Sequence, residues 1–416
     1  MRRVAITGLG AITAIGDSAT ATFASALAVR SGVRRAPEWA AGPGVPLAAS
    51  APFDANGVKL RQRTAPMDRA TAMAVAAARQ AIEDSVGGLG SAPERVAVYW
   101  GIGMGAPGTL EDAYQGVFEG RSWRLKPTMV VTAMNNAPVA QISLEFGITG
   151  PTLTYSVACA SSAIAIGEAL RAIRHGVVDC AVVGGSEAPL TRGMLSAWSA
   201  LRALATLDPV DAARSCKPFS ADRSGFVLGE GAGAMVIEAA DRARARGARI
   251  YGELAGYGIA SDAAHIAEPS VEGQVRAIRA ALTDADVDPA DVGYINAHGT
   301  ATIVGDRVET ASIRQGFGAS AEAIAVSSTK ALHGHVMGAT GAIEMIIATL
   351  ALHHHCVPPT AHLDRRDPEL DLDFVVGRPR HGVALRAVAS NSFAFGGTNA
   401  VLVALDPAAR LQRAPA

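Results

Sequence analysis

Short runs in which nearly every position is apolar or small recur along the chain, separated by longer stretches with helical spacing. The runs Arg3–Gly8, Arg95–Gly101, Cys180–Gly184, Ala234–Glu238, Gly293–Ala297 and Val388–Ser392 lack a polar face. They are too short for helices and predict strands covered on both sides. Ala70–Ser85, Ser162–His175, Gln274–Ala285 and Ala342–His354 predict helices. The first ends near Gly87-Gly88 and the second stops at Gly176, as helices commonly do. Alternating strands and helices make the chain α/β. Ser162–His175 is apolar on every side, so it is expected between sheets and not on the surface.

A weak duplication runs through this pattern. Val157–Cys159 leads through small residues into an apolar helix and then the strand near Ala181. Val326-Ser327-Ser328 leads, by a longer path past Gly334 and Gly338, into a second apolar helix and then the strand near Val388. The charged segment Asp241–Gly247 falls between the copies and suggests two halves, residues 1–250 and 251–416; a solvated helix end explains it equally well. The tail Pro407–Ala416 is expected to fray.

Composition narrows the class. The chain of 416 residues is 49% hydrophobic and 18% charged, which excludes disorder, collagen-like repeats and coiled coil. A net charge of -1 gives no global electrostatic case for nucleic acid. The four cysteines, Cys159, Cys180, Cys216 and Cys356, are scattered and none has C-x-x-C spacing, which argues against a disulfide scaffold or a zinc knuckle. Arg2-Arg3 resembles a twin-arginine export signal, but the apolar stretch after it is short and broken by Gly8, so a first strand is the better reading. No run of about 18 uninterrupted apolar residues occurs. No membrane span is expected, and the expected location is the cytoplasm.

Four segments carry residues suited to chemistry. Cys159 sits among small residues after the β-like run Leu153–Val157 and just before a helix. A helix N-terminus favours thiolate and can hold an oxyanion. On this motif alone the cysteine reads equally well as a nucleophile or as a buried structural thiol. The loop His298-Gly299-Thr300-Ala301-Thr302 lies at a predicted strand end, where α/β sites form, and His298 is suited to proton transfer. Asp306 and Glu309 have the spacing of helix-start residues. In Lys330-Ala331-Leu332-His333-Gly334-His335, glycines crowd His335 more than His333. Lys330 and Glu344 flank an apolar stretch where isolated charges are costly unless paired. The turn Phe393-Ala394-Phe395-Gly396-Gly397 can present backbone N–H donors. No convincing metal ligand set accompanies these residues. The nucleotide-binding patterns at Gly8, Gly101 and Gly229 each fail at a required position, and Gly184-Gly185-Ser186-Glu187-Ala188 misses the hydrolase elbow by its last residue.

Taken together, these segments resemble the elongating β-ketoacyl-acyl-carrier-protein synthases of the thiolase superfamily. The similarity runs nearly end to end, through Val4–Gly10, Met67-Asp68-Arg69, Gly150-Pro151, Lys217-Pro218-Phe219, Asp222–Gly233 and Val357-Pro358-Pro359-Thr360. The resemblance implies a thiolase fold of five layers, αβαβα, with two similar halves, the first carrying Cys159 and the second both histidines. It implies a homodimer, or a heterodimer with a related subunit, that works with acyl carrier protein. It implies no cofactor of its own, because the carrier brings the phosphopantetheine. Cys159 would take the acyl chain, with the backbone N–H groups of Cys159 and Phe395 as oxyanion hole. His298 and His335 would stabilise the enolate left when malonyl thioester loses carbon dioxide. Lys330 would give electrostatic support, paired with Glu344.

By the same resemblance Thr300 and Thr302 would hold the pantetheine arm. Met104 would close the pocket floor, Met129 would reach across a dimer interface, and Trp198 would form a pocket wall. For these three, plain core residues are an equal reading. Arg61, Arg63, Arg124 and Arg202 would dock the carrier, against the plainer reading of solvated arginines. Departures from the family pattern stand at Ala394, where a methyl before Phe395 would stiffen its swing, and at Val157 and Ile303. Rival readings are a malonyl decarboxylase supplying starter units and a structural subunit of a heterodimer. Fatty-acid and polyketide or polyene elongation stay open alike.

Overall fold

The computed structural model describes residues 1–36, 47–61, 66–120 and 125–408. Eleven strands share one sheet system: β1 (Val4–Ile12), β2 (Val96–Gly101), β3 (Thr152–Tyr155), β4 (Cys180–Glu187), β5 (Gly231–Ala239), β6 (Gly252–Ser261), β7 (Val292–Asn296), β8 (Ala325–Ser327), the short β9 (Asp373–Phe374), β10 (Ala387–Phe393) and β11 (Thr398–Leu405). Their spatial order is β9-β8-β7-β10-β11-β6-β1-β5-β4-β2-β3. The first five strands and the last six repeat one plan. In each, the opening strand pairs antiparallel with the last, the last pairs antiparallel with the one before it, and the second and third are parallel. The duplication read from the sequence is therefore a duplication of topology. The two halves join edge to edge where Ala5 and Ile6 meet Glu253 and Gly252.

All six strands read from apolar runs form, with ends shifted by a few residues. The helices that matter here are α1 (Arg69–Asp84), α2 (Ala137–Phe146), α3 (Ser161–Arg174), α4 (Arg192–Ala200), α5 (Val271–Ala285), α6 (Ile303–Phe317) and α7 (Thr340–His354). α1 packs outside the first sheet half, with α2 against it, and α5 packs outside the second, with α6 against it. α3 and α7 lie between the halves and touch both, and α7 is buried from Thr340 to Leu352. A helix without a polar face is stable only in such a place. These are the five layers of the thiolase fold. The charged segment near Asp241 forms a short helix, Ala240–Ala245, ahead of β6. Of the terminal tail, residues 409–416 lie outside the described residues.

The central helices approach the strands closely because the strands carry glycine there. A Cβ at Gly101 would lie 2.2 Å from the Ser162 nitrogen, and one at Gly185 would lie 2.7 Å from the Ser162 Cβ. These contacts set the N-terminus of α3, and with it the residue just before the helix, Cys159.

Candidate active site

Cys159 occupies a tight turn between β3 and α3. Ala158 has φ of +43°, a left-handed conformation that is costly for a residue with a Cβ. Ser161 braces the turn: its Oγ accepts from the Val157 N–H at 2.8 Å and donates to the Ala158 carbonyl at 2.7 Å. The helix N-cap is Ala160, so Cys159 stands just ahead of the helix and not in its first turn.

At this position the field of the helix is opposed by burial. Burial pushes the Cys159 thiol up to about 12, against the downward pull of the Lys330 ammonium and the backbone N–H groups of Phe395 and Cys159 itself. A helix terminus returns about 1 kcal/mol, less than full desolvation of a thiolate costs. The two backbone N–H groups expected for an oxyanion hole are thus both felt by the sulfur.

Two imidazoles face that sulfur. His335 Nε2 lies 3.1 Å from Cys159 Sγ, and its Nδ1 lies 3.0 Å from Thr340 Oγ1. His298 meets His335 edge to face with ring centres 5.4 Å apart. One side-chain atom from each of Cys159, His298 and His335 lies within 4.8 Å of the others. Burial holds both imidazoles well below their ordinary value, and the Lys330 charge adds to the effect. Both rings are therefore neutral at physiological pH and keep one N–H each. Lys330 and Glu344 are fully buried and paired at 2.6 Å, as their isolation in an apolar stretch required. Burial pushes Glu344 up to about 8, opposed by the Lys330 ammonium. His333 is held by Thr329 Oγ1 and the Gly334 carbonyl, away from the sulfur.

The loop carrying His298 is fastened by groups whose spacing suggested a simpler task. The N-cap of α6 is Thr302. Asp306 and Glu309 instead reach back to the loop. Glu309 accepts from the N–H groups of His298 and Gly299 at 2.8 and 2.6 Å, and Asp306 from those of Ala301 and Phe219 at 3.0 and 2.7 Å. Arg223 donates to the carbonyls of Thr302 and Ile303 and pairs with Asp367 at 2.6 Å. Arg223 has no role in the reading of the sequence above. Its position in the Asp222-Arg223-Ser224 stretch of the family resemblance is the only signal that pointed to it.

A cavity of about 380 Å³ opens onto Cys159, His298 and His335. Thr300, Thr302, Arg202, Ala394 and Phe395 line it as well. The Thr300 and Thr302 hydroxyls are 3.0 Å apart. Trp198, Met104 and Met129 are not among its lining residues. Trp198, on α4, stacks its ring 6.0 Å from Phe395 and 5.7 Å from Phe226, which itself lies edge-on to His335. Met104 is half-buried on the turn after β2. Met129 opens a short helix, Met129–Ala133, whose Val130 and Val131 are exposed. Arg61 is exposed, and its backbone N–H donates to Glu145 at 2.8 Å. Arg63 and Arg124 lie outside the described residues. Ala394 does not adopt positive φ; the left-handed positions of its turn are Gly396 and Gly397. Its methyl is therefore unstrained in this conformation. Among the described residues no helix is long and apolar enough to cross a membrane.

Comparison with known proteins agrees with this geometry. Residues 1–243 match the beta-ketoacyl synthase N-terminal domain and residues 251–364 its C-terminal domain. A 3-oxoacyl-[acyl-carrier-protein] synthase 2 of Staphylococcus aureus (strain COL) is 40% identical over 407 residues, 97% of this chain and 98% of the relative. The ishigamide ketosynthase/chain length factor structure superposes with a TM-score of 0.88 at 33% identity, covering 97% of this chain and 99% of that one. A type II polyketide acyl-carrier protein in complex with its ketosynthase gives 0.87 at 27% identity, with 97% and 99% covered. The chain belongs to the β-ketoacyl synthase family, condensing enzymes of the acyltransferase class.

Proposed function

We propose that this chain elongates acyl chains by decarboxylative Claisen condensation, with Cys159 as nucleophile and His298 and His335 as the enolate-stabilising pair. The observation that carries the reading is the convergence of one sulfur and two neutral imidazoles, felt by the backbone N–H groups of Cys159 and Phe395, on the wall of one cavity.

The thiol is protonated at neutral pH, so it needs a base to become a nucleophile. His335 Nε2, at 3.1 Å, takes that proton. The sulfur adds to the thioester carbonyl of an acyl carrier, and the N–H groups of Cys159 and Phe395 hold the oxyanion. The carrier thiolate leaves and recovers the proton from His335. Thr340 Oγ1 can donate to or accept from Nδ1, so the ring can then present Nε2–H. Malonyl carrier follows. Its C–C bond to the carboxylate breaks, carbon dioxide leaves, and the electron pair becomes an enolate whose oxygen meets N–H groups of His298 and His335. Neutral donors in a dry site suit a charge that develops only in the transition state. The enolate carbon attacks the acyl-Cys159 carbonyl, the C–S bond breaks with its electron pair going to sulfur, His335 Nε2–H returns a proton to that sulfur and is reprotonated from solvent, and a β-ketoacyl carrier is released. Lys330, held by Glu344, keeps the site positive. Thr300 and Thr302 receive the pantetheine arm.

The partner in this reading is an acyl carrier protein. It brings the phosphopantetheine, and Arg202 at the cavity and Arg61 are the described candidates for its docking. The halves 1–250 and 251–416 supply nucleophile and imidazoles respectively. The exposed Val130 and Val131 beside Met129 suit a surface covered by a second copy or a related subunit. The location that fits is the cytoplasm. The decisive test is intact-protein mass spectrometry after incubation with an acyl carrier protein. An acyl adduct lost in C159A is expected; no adduct on the unmodified enzyme overturns the assignment.

A further inference from the structure

The fold assembles three donors that no spacing in the sequence links. Cys159 comes from the turn before α3, His298 from the loop after β7 and His335 from the loop after β8. One ligand-capable atom from each lies within 4.8 Å of the others, and all three side chains are buried. A tetrahedral zinc ion with bonds of about 2.3 Å to sulfur and about 2.1 Å to nitrogen sets such atoms roughly 3.5 Å apart. Cys159 Sγ and His335 Nε2 are at 3.1 Å, so closing all three round one ion takes shifts of about an ångström. His335 has the support usual for a metal-bound imidazole: its far nitrogen, Nδ1, lies 3.0 Å from Thr340 Oγ1, which leaves Nε2 to present a lone pair. His298 Nδ1 is buried with no hydrogen-bond partner among the described residues, so no neighbour fixes that ring's tautomer. Its backbone is fixed instead, by Glu309 at 2.8 Å. All three residues line the same cavity, which reaches the surface at the exposed Ile266, Ile303 and Val304. An ion therefore has a path of entry, and a fourth position stays open to water. Lys330, the cation felt by all three residues, carries its own counter-charge in Glu344 at 2.6 Å.

We propose that Cys159, His298 and His335 form a binding site for a thiophilic divalent cation of the zinc type, and that the ion inhibits the enzyme reversibly by occupying its nucleophile and both imidazoles. Binding needs only these donors; inhibition rests on the function proposed above, in which Cys159 takes the acyl chain. As the ion enters it sheds water, the thiol proton passes to solvent, and one Zn–S and two Zn–N bonds form without change of oxidation state. One positive charge remains beside the neutral Lys330–Glu344 pair, and a hydroxide or small anion at the fourth position balances it. The sulfur is then tied up as a ligand, and His335 Nε2 has no lone pair left to take a proton. Acylation stops, and the ring nitrogens at the ion hold no N–H for an enolate.

The test uses the unmodified enzyme, with Co²⁺ as a coloured probe and Zn²⁺ as its competitor. One equivalent of Co²⁺ is expected to give the near-ultraviolet charge-transfer band of a cobalt thiolate, which Zn²⁺ abolishes. Zn²⁺ at about ten times its dissociation constant should slow acylation of Cys159, read by intact mass spectrometry, about tenfold, and a chelator should restore it. C159A should show no such band, and C159S stands in if C159A does not fold. H298A should keep the band but bind at least about tenfold more weakly, since a lost ligand costs no less than its outer support. C159A retains Cys180, Cys216, Cys356 and the exposed run His353-His354-His355, so a band that survives in it belongs to those groups and overturns the site. No band on the unmodified enzyme overturns it too. A band that requires Cys159, with acylation unchanged under saturating Zn²⁺, overturns the inhibition. The same band with no acyl adduct even in the absence of metal overturns the proposed function and leaves the metal site standing.

Discussion

At the scale of single residues burial keeps the thiol and both imidazoles of the candidate site uncharged beside a charged lysine. His298 and His335 are neutral because burial and the nearby Lys330 charge disfavour imidazolium. Removing either ring deletes one donor to the enolate, a loss of about 10²–10³ in rate by comparison with oxyanion-hole deletions. H298A and H335A are each expected to suppress carbon dioxide release from malonyl carrier by that factor. H298A should still acylate Cys159, whereas H335A should acylate more slowly, because His335 is the nearest base. Release of labelled carbon dioxide, set beside intact mass, separates the two steps. The thiol itself gives a second test. A cysteine pushed up to about 12 should react with iodoacetamide ever faster as pH rises past 9, with no plateau near neutrality. A plateau near pH 7 would mean that the field of the helix prevails over burial. Ala394 offers a third. Its φ is unstrained, so A394G should lower stability by about 0.4–1 kcal/mol through the unfolded chain. If the methyl stiffens the swing of Phe395, the same variant should speed acyl transfer, and unchanged rates would dispose of that idea.

At the scale of elements, chemistry is placed by how closely helices meet strands. Gly101 and Gly185 leave room for the start of α3. G101A puts a methyl 2.2 Å from backbone that has nowhere to go, so it should cost at least 3 kcal/mol, roughly the upper end of overpacking penalties. It should also displace the turn holding Cys159 and abolish acylation. Urea unfolding and adduct mass check both, and a G101A chain that folds with full acylation would show that the helix can slide. Strands and central helices were legible because burial on both faces leaves a continuous apolar run in the chain. The convergence of Cys159, His298 and His335 was legible only when the segments were read jointly, each being ambiguous by itself. Arg223, which fastens the His298 loop, and the strained Ala158 were not legible in the sequence. Their partners lie far off in sequence or consist of backbone N–H and C=O groups, which every residue carries and no motif advertises. The tasks of Asp306 and Glu309 were misread for the same reason: helix-start spacing is local, while the bonds they make secure a loop.

At the scale of the whole molecule, one supersecondary plan is used twice for different ends. The third strand of the first half runs into the turn of Cys159 and then α3. The third strand of the second half runs through Lys330 and His335 and then into α7. The longer second path carries Lys330 and His335, and the packing of α3 with α7 brings them to Cys159. The cost of this plan is a set of buried titratable groups, whose signs fix the pH response. His298, His333 and His335 lie below their ordinary value, so below about pH 6.5 the unfolded chain takes up protons that the buried rings refuse, and stability falls as pH drops. Glu187 and Asp306, pushed up to about 7, and Glu344, to about 8, act in the opposite sense. Their folded forms hold protons that the unfolded chain has released, so stability falls as pH rises through those values. Of these buried groups, the carboxylates are the ones that titrate between about pH 7 and pH 8.5, and the expected loss is on the order of a few kcal/mol. Scanning calorimetry across that range should show a falling Tm, and D306N, which removes one of the three carboxylates, should flatten the slope. A Tm that holds or climbs from pH 7 to pH 8.5 would mean these carboxylates are ionised throughout, with their N–H and cation partners outweighing burial.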